Sequence, residues 1–461
     1  MPFLRRSGFS TMMKESVKDE GILFGAALKW LLLSVFAGVL AGGGVGAFLI
    51  LINASVGFVT GLPEWRYALI PAGLLLSLCC VRFLSPQSAG HGTEKVLEDI
   101  HFHAGNIPFN VVPGKVLSTL FTLAPGGVVG VEGPGVQIGA GLLSRLSRRF
   151  RLHSEERKQL VICGVSAALS AVFGAPVAGA VFGVEMLFVG EIFYTVLPAA
   201  VISSIASYLV CLQIGVPYGL PAVTVPDPTP FVLAQCFAAA VFFALICIFH
   251  IEFTSAVERT FKKIPCPLWV KSLIASALLL CAAAVWGDEF LGMGESGLAG
   301  ILSGHSVVWY AFILKSFLLA VTLSGGGSGG VLTPTFYIGA AAGSLFAAIF
   351  GLDTAFFGAL GFVGCIAGCV NTPIAATFLA VELFGSAIAP FAGCVCVISY
   401  MLSGHRSLYP TQILVRPKSL AFVLADPQNK ESWATRKRPE YLPFSRIVRK
   451  MARKGKHSGR Y

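Results

Sequence analysis

Charged residues are scarce in this sequence of 461 residues. Only 12% of the residues are Asp, Glu, Lys or Arg, whereas charged residues make up about a quarter of a typical soluble domain. Hydrophobic residues account for 55% of the chain, and its mean hydropathy is +0.77. This composition excludes a water-soluble globule. It predicts a polytopic membrane protein, and one of the all-α class.

Paired cysteines of the kind that bind zinc or carry out redox chemistry are also lacking. The chain has twelve Cys, but no two of them form a CxxC pattern, which is the spacing expected of such sites. Most of the cysteines lie inside apolar segments, where free Cys acts as a small buried hydrophobe. The sequence therefore predicts neither a metal site nor a cofactor.

No small-residue cleavage site follows the first apolar run, Trp30 to Ile52. We interpret this run as a retained helix rather than a signal peptide. Four later runs also reach or approach the roughly 20 residues that span a bilayer: Ala68 to Leu84, Val232 to Ile251, Val270 to Trp286 and Ala389 to Leu402. The remaining apolar runs are shorter and are broken by Gly or Pro.

The positive charges are concentrated at the ends of the chain and in one loop. Residues 416 to 461 hold thirteen Lys or Arg against three Asp or Glu, and residues 145 to 158 are also basic. The positive-inside rule places such segments in the cytoplasm. We predict a cytoplasmic amino-terminal segment over residues 1 to 21 and a basic cytoplasmic tail over residues 416 to 461. Contact with lipid headgroups explains these charges better than binding of nucleic acid does.

An internal repeat relates two halves of the chain. Residues 130 to 140 return at 330 to 340 with Gly, Val, Pro, Ile, Gly and Ala in register. Glu185 and Glu382 also correspond, but Glu132 is matched by Leu332. We interpret the repeated glutamates as architectural and Glu132 as functional, because unpaired acids inside membranes are usually functional. The predicted units are a first membrane repeat over 22 to 216, a linker over 217 to 230 and a second repeat over 231 to 415.

Glycine and proline interrupt the apolar segments at equivalent places in the two halves. Non-helical backbone at membrane depth is tolerated only inside the protein or along a wet cavity. A helix that begins there presents unpaired N–H groups and partial positive charge, which favour an anion. We therefore predict two repeats with broken, tilted helices that meet at an anion site, and an odd number of spans in each half would give the repeats the inverted topology that recurs among transporters. Glu132, at one such start, would compete with the anion unless it is protonated or moves away.

Four segments, in chain order, resemble motifs of the CLC family of chloride channels and chloride/proton antiporters. Gly90-His91-Gly92-Thr93-Glu94 is similar to Gly-Ser-Gly-Ile-Pro, and Gly130-Val131-Glu132-Gly133-Pro134 is similar to Gly-Arg-Glu-Gly-Pro. Gly330-Val331-Leu332-Thr333-Pro334 is similar to Gly-x-Phe-x-Pro. Tyr409 stands where the family has a tyrosine that binds the anion. The resemblance covers residues 25 to 415.

The resemblance implies a homodimer with one anion pathway in each subunit. Glu132 would be the external gate and the proton acceptor, and Gln213 would occupy the position of an inner proton gate. The anion would be held by His91, by main-chain amides of Val131, Gly133, Val331 and Leu332, and by the Tyr409 hydroxyl. The absence of regulatory domains after the membrane region leads us to expect a prokaryotic inner-membrane protein, multi-pass, with both termini cytoplasmic and in contact with membrane lipids.

Several residues depart from the family pattern. His91 replaces serine, Val131 replaces arginine and Leu332 replaces phenylalanine, while Gln213 has no group that titrates in the useful pH range. These changes leave two alternatives. The leading one is a chloride transporter, either a chloride/proton antiporter or a chloride channel. The other is a fluoride/proton antiporter of the fluoride-exporting branch. His91 either acts as a pH-sensitive ligand or contributes only its backbone.

An enzyme is the remote alternative. Gly326-Gly327-Ser328-Gly329 is similar to the nucleophile motif of rhomboid intramembrane serine proteases. That chemistry requires a histidine within hydrogen-bond reach of Ser328. We interpret the segment instead as a glycine hinge before a half-helix, and predict that the chain is not an enzyme.

Overall fold

The computed structural model describes residues 6–424 and 435–437. Sixteen α-helices form this part of the chain, and they fall into two sets of eight in the same order. The first set is α1 (Arg6–Thr60), α2 (Leu69–Phe83), α3 (Gly92–Phe102), α4 (Val111–Leu123), α5 (Glu132–Arg149), α6 (Ser154–Phe173), α7 (Pro176–Glu185) and α8 (Leu197–Gln213).

The second set repeats this order of long and short helices. It consists of α9 (Pro230–Lys263), α10 (Leu268–Trp286), α11 (Glu295–Leu302), α12 (Ala311–Ser324), α13 (Leu332–Phe350), α14 (Thr354–Val370), α15 (Pro373–Phe384) and α16 (Ala389–Leu402). The Gly/Pro interruptions predicted from the sequence fall between α4 and α5, α6 and α7, α12 and α13, and α14 and α15. The prediction of broken helices in a polytopic membrane fold is confirmed.

Six of the described helices are long and apolar enough to cross a bilayer, namely α1, α2, α8, α9, α10 and α13. The helix α13 differs from the other five because it lies mostly inside the protein. Short strands accompany the helices. In one pair, β1 (Phe188–Val189) lies parallel to β2 (Ile413–Leu414), and in the other, β3 (Phe422–Leu424) lies antiparallel to β4 (Thr435–Lys437).

The amino-terminal segment is continuous with the first membrane helix. α1 begins at Arg6 and runs without a break to Thr60, and the cytoplasmic location of residues 1 to 21 stays a prediction. Proline, the strongest helix breaker, is absent from this helix and returns only at Pro63. Most of the predicted tail over 416 to 461 lies outside the described residues.

The helices α1 and α8 pack closely and run in the same direction. Gly38, Gly42 and Gly46 of α1 face Ser203, Ser207 and Cys211 of α8, in that order. A Cβ atom at Gly42 would lie 2.8 Å from both the Cα and the carbonyl oxygen of Ser207. Small residues at four-residue spacing therefore allow the two backbones to approach closely, as is common between membrane helices.

The two repeated glutamates join the halves of the molecule. Glu185, at the end of α7, accepts hydrogen bonds from the backbone N–H groups of Ile374 (3.1 Å) and Ala375 (2.7 Å), which begin α15. Glu382 of α15 does the same for Val177 (2.9 Å) and Ala178 (2.7 Å), which begin α7. The equivalent helices α7 and α15 are therefore antiparallel, which is the relation expected of inverted repeats.

The candidate anion site

Three helices begin at one place inside the protein. The residues that precede their first turns are His91 for α3, Val131 for α5 and Val331 for α13, and no side chain caps any of the three starts. The first N–H groups of a helix have no partner within the helix. Three sets of backbone donors and three positive dipole ends are therefore directed toward a common region.

Main-chain hydrogen bonds hold these three starts together. Gly130 N–H donates to Gly330 O (2.7 Å), and Gly330 N–H donates to Gly130 O (2.6 Å). Gly329 N–H donates to Gly90 O (3.3 Å), which ties the third start to the pair. A Cβ atom at Gly330 would lie 2.8 Å from the backbone nitrogen of Gly133 and 3.0 Å from Glu132 Oε2. Glycine is required at this position because the backbones approach so closely.

Glu132 is the first residue of α5 and lies at the centre of this arrangement. It is only 2% exposed. The Thr333 hydroxyl, in the first turn of α13, donates a hydrogen bond to Glu132 Oε1, whereas Oε2 has no hydrogen-bond partner among the described residues. The side-chain hydrogen bond to this carboxyl group thus comes from the equivalent helix of the other repeat.

Tyr409 and the start of α3 form the next part of the site. Tyr409 is fully buried, and its ring centroid lies 6.2 Å from that of His91. Its segment is anchored by Leu408 N–H, which donates to Cys369 O (2.9 Å). Gly92 and Thr93, which follow His91, lie against Gly133 on the Glu132 side. The start of α3 therefore lies between Tyr409 and Glu132.

Unpaired polar atoms are concentrated around these residues. Twelve buried side-chain atoms lack a hydrogen-bond partner in the described part of the chain, and five of them belong to this region: His91 Nδ1, Thr93 Oγ1, Glu132 Oε2, Gln137 Oε1 and the Tyr409 hydroxyl oxygen. Buried polar groups are normally paired, because leaving one unpaired costs about 1–3 kcal/mol. Such a concentration indicates a place where a polar ligand binds.

A cavity of about 260 Å³ adjoins His91. Its charged lining comes from Glu258 and Lys262 of α9 and Lys271 of α10. Two lysines against one glutamate give the walls a positive balance, which raises the local concentration of anions. The cavity walls therefore favour an anion on the side of the site that contains His91.

Sequence reasoning missed Lys115, a fully buried lysine in α4. The anion site predicted from the sequence consists of His91, backbone amides and Tyr409, and contains no lysine. Lys115 Nζ instead donates to Gly90 O (2.6 Å), Ser88 O (3.1 Å) and Ser328 Oγ (2.9 Å), and so fixes two of the converging loops. The signal was present, because Lys315 of α12 occupies the equivalent place in the second half and is also fully buried.

The same contacts weaken the protease hypothesis. The Ser328 hydroxyl donates to Ser88 O (2.7 Å) and accepts hydrogen bonds from Lys115 and Ser118. No histidine of the described chain forms a hydrogen bond with it. Ser328 therefore lacks the base that the nucleophile of a rhomboid protease requires.

Gln213 does not belong to this group of residues. It is the last residue of α8 and is exposed. Because α8 runs parallel to α1, Gln213 lies toward the Thr60 end of α1, away from the face where Lys29 meets Glu156 and where the basic end of α5 lies. The structure therefore places Gln213 apart from the converging helix starts, and its assignment as an inner proton gate stays a prediction.

The remaining predicted residues do come together. Val131, Gly133, Val331 and Leu332 are all buried at the starts of α5 and α13, and His91 and Tyr409 lie beside them. Inverted repeats whose broken helices meet at a buried polar site define a class of membrane transport proteins, the secondary transporters and related channels.

Comparisons with known proteins identify the family within this class. Residues 72–404 match the family model described as voltage gated chloride channel. The "Chloride/fluoride channel protein" of Pseudomonas syringae pv. tomato is 31% identical over 403 residues, which cover 83% of this chain and 86% of the relative. The chain therefore belongs to the CLC family of chloride channels and antiporters.

Two further relatives agree with this assignment. A "Voltage-gated ClC-type chloride channel ClcB" of Escherichia coli is 27% identical over 417 residues, 83% of this chain and 97% of that protein. The crystal structure of a CLC-type fluoride/proton antiporter superposes with a TM-score of 0.78 at 25% identity, over 84% of this chain and 98% of that structure. The resemblance inferred from four short motifs is thus confirmed.

Proposed function

We propose that this protein carries chloride across a membrane through the site between Tyr409 and Glu132, with Glu132 as the gate. The observation that carries the proposal is the buried carboxyl of Glu132, which accepts a hydrogen bond from the Thr333 hydroxyl where three uncapped helix starts converge. A carboxylate and a halide compete for such a place, because helix starts favour either anion. Protonation of Glu132 would release it, so anion and proton movements become linked.

The anion follows a path from the charged cavity to the gate. The cavity walls attract it, and the amides of Val131, Gly133, Val331 and Leu332 replace part of its water shell. The Tyr409 hydroxyl and His91 supply donors on the opposite side. Removing water from an ion costs of order 20 kcal/mol at low dielectric, and backbone donors offset this cost without holding the ion as firmly as a salt bridge would.

Fluoride is the second candidate substrate, because two of the similar proteins bear fluoride in their names. The Thr333 hydroxyl beside Glu132 is compatible with it, since fluoride is a strong hydrogen-bond acceptor. We keep chloride as the leading substrate.

Topology and assembly complete the proposal. We infer that the face with Lys29, Arg148, Arg157 and Lys158 is cytoplasmic, in accord with the positive-inside rule, so that the amino and carboxyl termini lie in the cytoplasm of a prokaryotic inner-membrane protein. We also propose a homodimer in contact with membrane lipids. Chemical cross-linking of the purified protein in lipid bilayers should give a species of twice the monomer mass.

Ion efflux tests the function directly. Proteoliposomes loaded with chloride or fluoride are diluted into a solution without that anion, and selective electrodes follow its release. We expect chloride efflux well above that of empty vesicles. Glu132→Gln should uncouple the anion from protons, whereas Glu191→Gln, which changes an exposed acid, should behave like the unmodified protein. If neither anion leaves faster than from empty vesicles, the proposed function is wrong.

A further inference from the structure

The first turn of α3 contains an acid that the proposed anion path does not use. Glu94 stands three residues after His91, and its Oε2 lies 3.1 Å from His91 Nδ1. This nitrogen is buried and has no partner with hydrogen-bond geometry among the described residues. The two side chains are therefore close enough to share a proton after a small rotation of either group.

The pair lies between the cavity and the buried site. The His91 side chain is 17% exposed and that of Glu94 is 25% exposed. His91 lines the cavity. Because Nδ1 is buried, another part of the imidazole ring must face that space. The other neighbours of the pair are Thr93 and Tyr409, whose buried hydroxyl groups are unpaired.

The surroundings of the pair contain both signs of charge. Lys95 and Glu98 lie on α3 itself and form a salt bridge of 2.9 Å with each other. Other elements contribute the remaining titratable or charged groups around His91 and Glu94: Lys115 from α4, Glu258 and Lys262 from α9, Lys271 from α10, and Tyr409. Lysines outnumber acids in this set, so a carboxylate beside the imidazole is needed to stabilise an imidazolium there.

Imidazole is suited to proton transfer because one ring nitrogen can accept a proton while the other donates one. A carboxylate bound to one nitrogen orients the ring and stabilises its charged form. Gln213 cannot serve in this way, since it lies elsewhere and does not titrate. His91 and Glu94 form an acid–base pair in which His91 lines the cavity, and the pair lies beside the unpaired groups near Glu132.

We propose that His91 and Glu94 together form the inner proton site of this protein. A proton from water in the cavity binds the imidazole, and Glu94 stabilises the resulting imidazolium. The imidazolium then gives up a proton, which passes by way of the Thr93 or Tyr409 hydroxyl to the Glu132 carboxylate and converts it to the neutral acid. The imidazole returns to its neutral form, so protons balance and no oxidant or reductant is needed. This inference rests on the proposed function, in that it assumes anion transport through the same site.

The test is the proton-to-anion ratio, measured in proteoliposomes from the reversal potential, together with anion efflux from the same vesicles. Glu94→Gln keeps the size and shape of the side chain but removes its charge. We expect the number of protons moved per anion to fall at least tenfold while anion efflux continues. The matched control is Glu98→Gln, one turn further along α3, which should retain the ratio of the unmodified protein.

A second variant separates a loss of coupling from a loss of folding. His91→Gln should lower the ratio as Glu94→Gln does, whatever its effect on anion efflux. If both variants lose anion efflux altogether, the pair is structural and the proposal is overturned. An unchanged ratio in Glu94→Gln also overturns it, as does a loss of coupling found in Glu258→Gln but not in Glu94→Gln.

The unmodified protein distinguishes this inference from the function on which it rests. Anion efflux without any proton movement would identify a channel, which leaves anion transport intact and excludes an inner proton site. The absence of anion efflux would refute the proposed function itself. Proton-coupled efflux that disappears selectively in Glu94→Gln supports both.

Discussion

Replacing Thr333 by valine should open the proposed gate more often. Valine has nearly the shape of threonine but lacks the hydroxyl that donates to Glu132 Oε1. Because Glu132 Oε2 is already unpaired in the described structure, this change removes the one side-chain hydrogen bond that holds the carboxyl in place. The backbone start of α5 is not altered by the substitution.

The size of the effect follows from the kind of bond removed. A hydrogen bond to a charged group contributes about 1.5–3 kcal/mol. An equilibrium constant changes tenfold for about every 1.4 kcal/mol. The conformation in which Glu132 is bound at the helix starts should therefore become about 10- to 150-fold less populated relative to the conformation in which its side chain has moved away. Anion efflux should rise by up to this factor, until another step limits the rate.

The assay is electrode-detected chloride efflux from proteoliposomes at matched protein content. Thr333→Ser retains the hydroxyl and is the matched control, so it should give the rate of the unmodified protein. A Thr333→Val variant that folds normally and shows unchanged efflux and unchanged proton coupling would refute the idea that the hydroxyl of α13 holds the gate.

Three other predictions concern stability and the fixed charge at the site. Glu185→Gln places an amide NH₂ against a backbone N–H and removes a charge at a helix start, which should lower the free energy of unfolding by about 2–4 kcal/mol. Titration with SDS measures this loss. Glu382→Gln should give a smaller loss in the same titration, because Glu382 is more exposed. Gly42→Ala should destabilise by about 1–3 kcal/mol through overpacking against α8, while Gly43→Ala, whose Cβ meets no atom within 4 Å, should be neutral or stabilising in the same titration. Lys115→Met should reduce chloride efflux, because the loops that hold the helix starts lose three hydrogen bonds and a positive charge; efflux equal to that of the unmodified protein would contradict this.

Most of the fold could be predicted from the sequence, because glycines and prolines recur at equivalent positions of the two halves. Those residues mark places where helices end, and the structure breaks its helices there. The sequence also indicated an architectural role for the repeated glutamates Glu185 and Glu382. The structure agrees, since both bind helix starts of the opposite half.

Contacts between segments distant in the chain could not be predicted in the same way. Thr333 reaches Glu132 only because two loops pair through Gly130 and Gly330, which no local pattern specifies. The repeat of Lys115 at Lys315 was overlooked, and its partners Ser88, Gly90 and Ser328 lie in loops that no local pattern brings together. The role of Gln213 stays a prediction, because the number of residues along a span does not reveal which side of the membrane the end of α8 reaches.

The crossed glutamate bonds between α7 and α15 limit how this protein can move. Any mechanism in which one half swings as a rigid body against the other would have to pull two carboxylates away from four backbone donors, and each hydrogen bond to a charged group contributes about 1.5–3 kcal/mol. A cycle built on the turning of individual side chains avoids that obstacle. The scaffold can then stay still while ions and protons pass, and turnover depends on how fast a few side chains reorient.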